Sequence, residues 1–115
     1  MNDITLSKEA NTLIRAIYKE FKRRRKSSIS KEEARSFGDS DSIQSNIVKT
    51  WNINDIDEAC RELTTAQILD CLFLDNTVGE TILTNFGISF MENRTSSKLS
   101  ALWKVLEMIR SFLPW

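Results

Sequence analysis

Four carboxylates, Asp55, Asp57, Glu58 and Glu62, form the densest group of side chains able to do chemistry. Glu58 and Glu62 are four residues apart, so on a helix they share one face, and Asp55 lies close to it. Carboxylates so arranged can hold a divalent cation, work as an acid/base pair or bind a cationic partner. They are also what a solvated helix face carries near its N-terminus, where the helix dipole favours anions. A metal site needs convergent ligands from a second element, and the sequence names none. The expectation is a solvated acidic face, with partner binding as its functional reading and catalysis set aside.

The second set is an unbroken cationic run, Lys22, Arg23, Arg24, Arg25 and Lys26. Clustered cations raise the local affinity for anions, so the run is a candidate anion or nucleic-acid contact. A solvated helix end that aids solubility is an equal reading. No aromatic residue interleaves the run after Phe21, which argues against a stacking platform for single strands.

Other chemistries lack their residues. The chain has no histidine, so it has no His-based triad, Cys-His dyad or imidazole metal ligand. Gly38, Gly79 and Gly87 are isolated and make no phosphate loop. Cys60 and Cys71 lie eleven residues apart, without CxxC spacing; both read as small buried residues rather than a disulfide or a zinc site. The expectation is a non-enzymatic protein without cofactor or metal, and no small-molecule site is evident.

The elements that must hold these residues follow from composition and periodicity. The chain has 115 residues, 41% hydrophobic and 28% charged, with three Gly and one Pro. That suits one modest core and a mostly helical fold. The net charge is zero, yet charge is sorted along the chain. Residues 1–29 carry eight Lys/Arg against three Asp/Glu (+5), residues 30–92 four against twelve (−8), and residues 93–115 four against one (+3).

Ser7 predicts an N-cap and residues 7–26 a first helix, burying Leu6, Ala10, Leu13, Ile14, Ile17 and Phe21. Ser30 to Glu33 matches a capping box, so a short second helix should start near Lys31 and stop at Gly38. Ile29 before it could pair briefly as an extended residue. Ile43, Ile47 and Trp51 suggest a third helix at about 41–50. Asn54-Asp55 should cap a fourth, which buries Ile56, Cys60 and Leu63. Ile68 to Leu74 and Thr77 to Thr84 read as two strands joined at Asp75-Asn76. Thr84-Asn85 then caps a helix with Phe86, Ile88, Phe90 and Met91, before a polar hinge at 93–97 and a last helix over about 97–112. The expected class is mainly α with a small β-hairpin (α+β).

Helices followed by a hairpin are the order of a winged-helix domain. The stretch Leu63 to Leu69 has the look of a recognition helix passing into its wing. Residues 82–93 resemble the "LT-x-x-G-I-x-x-L-E-N" phrase that follows the wing in many prokaryotic winged-helix proteins. Residues 98–115, ending in Leu-Pro-Trp, resemble the small phage- and Firmicutes-type YjcQ-like group. The resemblance implies a winged helix-turn-helix over 1–94, with 95–115 as an extra C-terminal helix of the same unit. It supplies no catalytic or ligand residues.

In that last segment Leu99, Leu102, Trp103, Leu106, Ile109 and Leu113 fall on one helical stripe, with a further apolar stripe beside it. The apolar arc spans roughly 220°, against about 100° for an ordinary surface helix. One side should pack on the domain and the other meet a second copy or another protein, so a homodimer is expected.

The partner stays open between double-stranded DNA, as for a phage- or prokaryote-type transcriptional regulator, and a protein. Phosphates favour Lys/Arg around a recognition helix. The fourth helix instead offers Asp55, Asp57, Glu58 and Glu62, which would suit a protein-interaction module or a DNA-mimicking inhibitor. The N-terminus lacks the apolar core of a signal peptide, and no apolar run nears the roughly 20 residues that span a bilayer. The expected location is cytoplasmic.

Overall fold

A computed structural model describes residues 5–94, and these form α1 (Lys8–Lys26), α2 (Lys31–Ala34), α3 (Ser40–Asn46), α4 (Ile53–Thr65), β1 (Leu69–Leu74), β2 (Thr77–Leu83) and α5 (residues 85–94). The chain is thus mainly helical with a two-stranded antiparallel hairpin.

Ser7 caps α1 by accepting from the Ala10 N–H, and the helix turns Ala10, Leu13, Ile14, Ile17, Tyr18 and Phe21 inward. Helix α4 packs on α1, α3 and the hairpin. Its Ile56, Ala59, Cys60 and Leu63 lie in one cluster with those residues and with Ile43, Ile68, Leu69, Val78 and Leu83.

The short second helix leaves its expected course at Ala34, because residues 35–37 pair with β2 instead. Phe37 N–H donates to the Thr81 carbonyl and Leu83 N–H to that of Arg35, so Ser36 bridges Ile82. The extended pairing lies at Ser36 rather than at Ile29. Gly38 follows in the left-handed region, φ +77°.

Helix α3 starts at Ser40 on an Asp39 cap and ends by Asn46, short of residue 50. Gln44 donates its amide to the Trp51 carbonyl, 2.7 Å, which bends the chain back over the helix. Ile47 and Trp51 still pack against the core from beyond the helix end. Asn52, not Asn54, caps α4 by accepting from Asp55 N–H. Both asparagines offer the same i to i+3 bond.

Asp75 and Asn76 take positive φ values of 51° and 68°, the two-residue loop that matches strand twist. The pairing runs Leu69↔Leu83 to Leu72↔Glu80, then Phe73↔Val78, so Gly79 is the extra residue of a bulge. Leu74 Cδ1 would lie 2.7 Å from a Cβ there, a close approach that glycine permits. Thr84 caps α5, accepting from Gly87 N–H at 2.8 Å. Asn93 and Arg94 are still helical. The remainder of the expected hinge and the last helix, including Leu99, Leu102, Trp103, Leu106, Ile109 and Leu113, lie outside the described residues.

Candidate functional site

The four carboxylates of α4 do not act as one set. Asp57 is buried, 8% exposed, and belongs to the interior. It accepts from the Ser40 hydroxyl, from the Thr77 hydroxyl at 3.0 Å and from the Val78 N–H at 3.0 Å. One carboxylate therefore joins α3, α4 and the start of β2. This takes Asp57 off the acidic face, because a helix that turns Cys60 and Ile56 inward turns position 57 toward α3 and the hairpin.

Glu62 is also engaged. Its two oxygens accept from the N–H and the hydroxyl of Ser7, each at 2.7 Å, and so tie α4 to the start of α1. Asp55 and Glu58 stay exposed. Together with Ser7, Glu9, Ala59 and Glu62 they line a recess of about 300 Å³. Among the described residues no group of three or more His, Cys, Asp or Glu is arranged to hold a metal ion.

Arg61, the one cation of α4, is turned onto the hairpin. Its guanidinium lies 4.4 Å from the centroid of the Phe73 ring and donates to the Asn76 carbonyl at 3.2 Å. The outer side of the hairpin exposes Leu72 and Leu74, 58% and 56%, beside Asp70 and Glu80. Sequence reasoning missed these leucines, because it read residues 68–74 only as a strand and assigned neither of its faces to solvent. Strict alternation, counted from buried Leu69, would have found them.

The cationic run is likewise divided. Arg23 and Arg24 both pair with Glu20, at 2.7 and 2.9 Å. The hydrogen bond from Arg23, with help from Arg24 and against partial burial, lowers the Glu20 carboxyl to about 2. Arg24 continues inward: it stacks on Phe37 at 4.6 Å and donates to the carbonyls of Ala34 and Ser36. Its charge satisfies the Ala34 carbonyl at the C-terminal end of α2 and the Ser36 carbonyl beyond it.

Lys22, Arg25 and Lys26 face elsewhere. With Lys31 they line a cleft of about 550 Å³ whose other walls are Tyr18, Phe21, Asn85, Ile88, Ser89 and Glu92. Burial, and then the nearby Glu92 carboxylate, raise the Tyr18 phenol. The phenol stays protonated at neutral pH.

Cys60 and Cys71 are free thiols, Cys60 buried and Cys71 half-buried. Contact with Cys71, and then burial, raise the Cys60 thiol; the same contact lowers that of Cys71. Among the described residues no helix is long and apolar enough to cross a membrane. Compared with known proteins, the chain matches no family model, no curated protein and no solved structure.

Proposed function

We propose that the protein is a non-enzymatic binding protein of winged-helix type whose α4 and hairpin dock a cationic surface of a partner protein. In this reading α3 and α4 are the helix-turn-helix pair, Ser36 is the short strand before them, and β1-β2 is the wing. The order of elements and the Ser36–Ile82 bridge support that assignment.

The observation that carries the functional reading is the state of α4. Its exposed carboxylates Asp55 and Glu58 face outward, while Arg61 is held by Phe73 and Asn76. A phosphate backbone approaching this helix meets uncompensated negative charge, whereas a Lys/Arg-rich protein surface meets complementary charge. Leu72 and Leu74, flanked by Asp70 and Glu80, add an apolar centre with an acidic border. A homodimer through 95–115 belongs to the same proposal and rests on the apolar repeat of that segment.

The test is an amide NMR titration at low salt with two probes, an oligolysine peptide and a short random-sequence DNA duplex. Oligolysine should move the amides around Asp55 and Glu58, reversibly with salt, and Asp55→Lys/Glu58→Lys should abolish this. Saturable shifts on α4 with the duplex, and none with oligolysine, would overturn the reading in favour of DNA.

A further inference from the structure

We propose that the cleft between α1, α2 and α5 is a binding site for a multiply charged phosphate ligand. It shares no residue with the acidic face of α4 and does not depend on the partner reading.

The fold builds this site by sorting the cationic run. Lys22, Arg25 and Lys26 stand at i, i+3 and i+4, and so on one face of α1. Arg23 and Arg24 fall outside that face: both pair with Glu20, and Arg24 also donates to the Ala34 and Ser36 carbonyls. Lys31 comes from the next element and closes a second wall.

Among the described residues, four cations thus line one cleft against one carboxylate, Glu92. Among the described residues Lys22, Lys26 and Lys31 pair with no carboxylate. Lys22 Nζ stands 4.9 Å from the centroid of the Tyr18 ring, and Arg25 gives one of its five donors to the Ile29 carbonyl.

The opposite wall supplies neutral hydrogen-bonding groups. Asn85 and Ser89, one turn apart on α5, line the cleft. Tyr18, Phe21 and Ile88 form its floor, each only 7% exposed. Little aromatic face is therefore open for stacking, and recognition rests on charge. The volume of about 550 Å³ is that of a small-molecule pocket. A concave, low-dielectric wall concentrates the field of its cations, while the acidic remainder of residues 30–92 repels anions elsewhere. Four cations against one carboxylate leave the described walls with a net charge of +3, more than the roughly −2 of a single phosphate group neutralises, so a diphosphate group, or successive phosphates of a nucleic-acid backbone, is the chemistry that fits.

The test is a titration of the full chain with inorganic pyrophosphate, followed by the backbone and side-chain amides of Asn85 and the amide of Ser89, with the short random duplex as competitor. Saturable shifts at these amides are expected. Lys26→Ala/Lys31→Ala should weaken pyrophosphate roughly tenfold or more, the scale of lost charge-assisted hydrogen bonds. Glu92→Gln should tighten it, and Lys49→Ala, an exposed cation outside the cleft, should leave it unchanged. Duplex displacing pyrophosphate at lower concentration would assign the phosphates to nucleic acid; weaker competition would assign them to a small ligand. No saturable shift at Asn85 and Ser89 with either probe, or equal weakening by Lys49→Ala, overturns the proposal.

Discussion

Replacing Asp57 by alanine tests the buried carboxylate that holds α3, α4 and β2 together. Three donors meet it: Ser40 Oγ, Thr77 Oγ1 and Val78 N–H. A hydrogen bond to a charged acceptor contributes about 1.5–3 kcal/mol, but simple addition overstates the loss. Thr77 is exposed and can turn its hydroxyl to water. Ser40 retains the Val78 carbonyl at 3.4 Å. The buried Val78 N–H loses this acceptor altogether, and removing an anion from the interior relieves some desolvation. The balance is a loss of about 3 kcal/mol for Asp57→Ala. Asp57→Asn keeps one carbonyl oxygen for Val78 and should cost less, about 1–2 kcal/mol.

For a domain of this size 3 kcal/mol lowers Tm by roughly 12 °C. Thermal and urea unfolding followed by circular dichroism measure both quantities. Exposed Asp55→Ala is the control and should leave Tm nearly unchanged. If Asp57→Ala melts within about 3 °C of the parent protein, or no lower than Asp55→Ala, the carboxylate is not the junction described.

Four further outcomes are expected. Glu20 has its folded-state pKa lowered to about 2 from 4.5, so its contribution is present above 4.5 and lost as pH falls through 2. The stability gap between parent and Glu20→Gln in urea should therefore be full at neutral pH and close between those values; a gap independent of pH would refute the ion pair. Arg24→Ala should lower stability by about 2 kcal/mol, since it strips carbonyls and the Phe37 face of their partner, while Lys22→Ala should leave the urea midpoint in place. Gly87→Ala should cost about 2 kcal/mol or more, because an added Cβ would run into the Ile68 carbonyl; an unchanged Tm would show that α5 can move away. Leu106→Glu should halve the mass measured by light scattering if the 99–113 stripe joins two copies, and an unchanged dimer mass would remove that stripe from the interface.

Several parts of the fold were legible because local chemistry decides them. Ser7 and Thr84 are caps, Asp75-Asn76 is a loop that needs positive φ, and the stripe from Ala10 to Phe21 repeats at helical spacing. Each depends on neighbours within a few residues, so order along the chain carries the information. Helix ends where two solutions compete were less legible. Asn52 and Asn54 can both cap α4, and residues 35–37 chose β2 over continuing α2, a pairing with residues more than forty positions away.

The candidate sites show the same division. Composition alone excluded histidine chemistry, and charge sorting alone marked an acidic block and a cationic run. Which of those charges are free to bind was decided only by packing. A charge is spent when a partner from another element reaches it, as Ser40 and Val78 reach Asp57, Ser7 reaches Glu62, and the Ala34 and Ser36 carbonyls reach Arg24. Lys31 joins Lys22, Arg25 and Lys26 around a cleft for the same reason: helix geometry aims side chains within an element, but tertiary contacts decide which elements face each other.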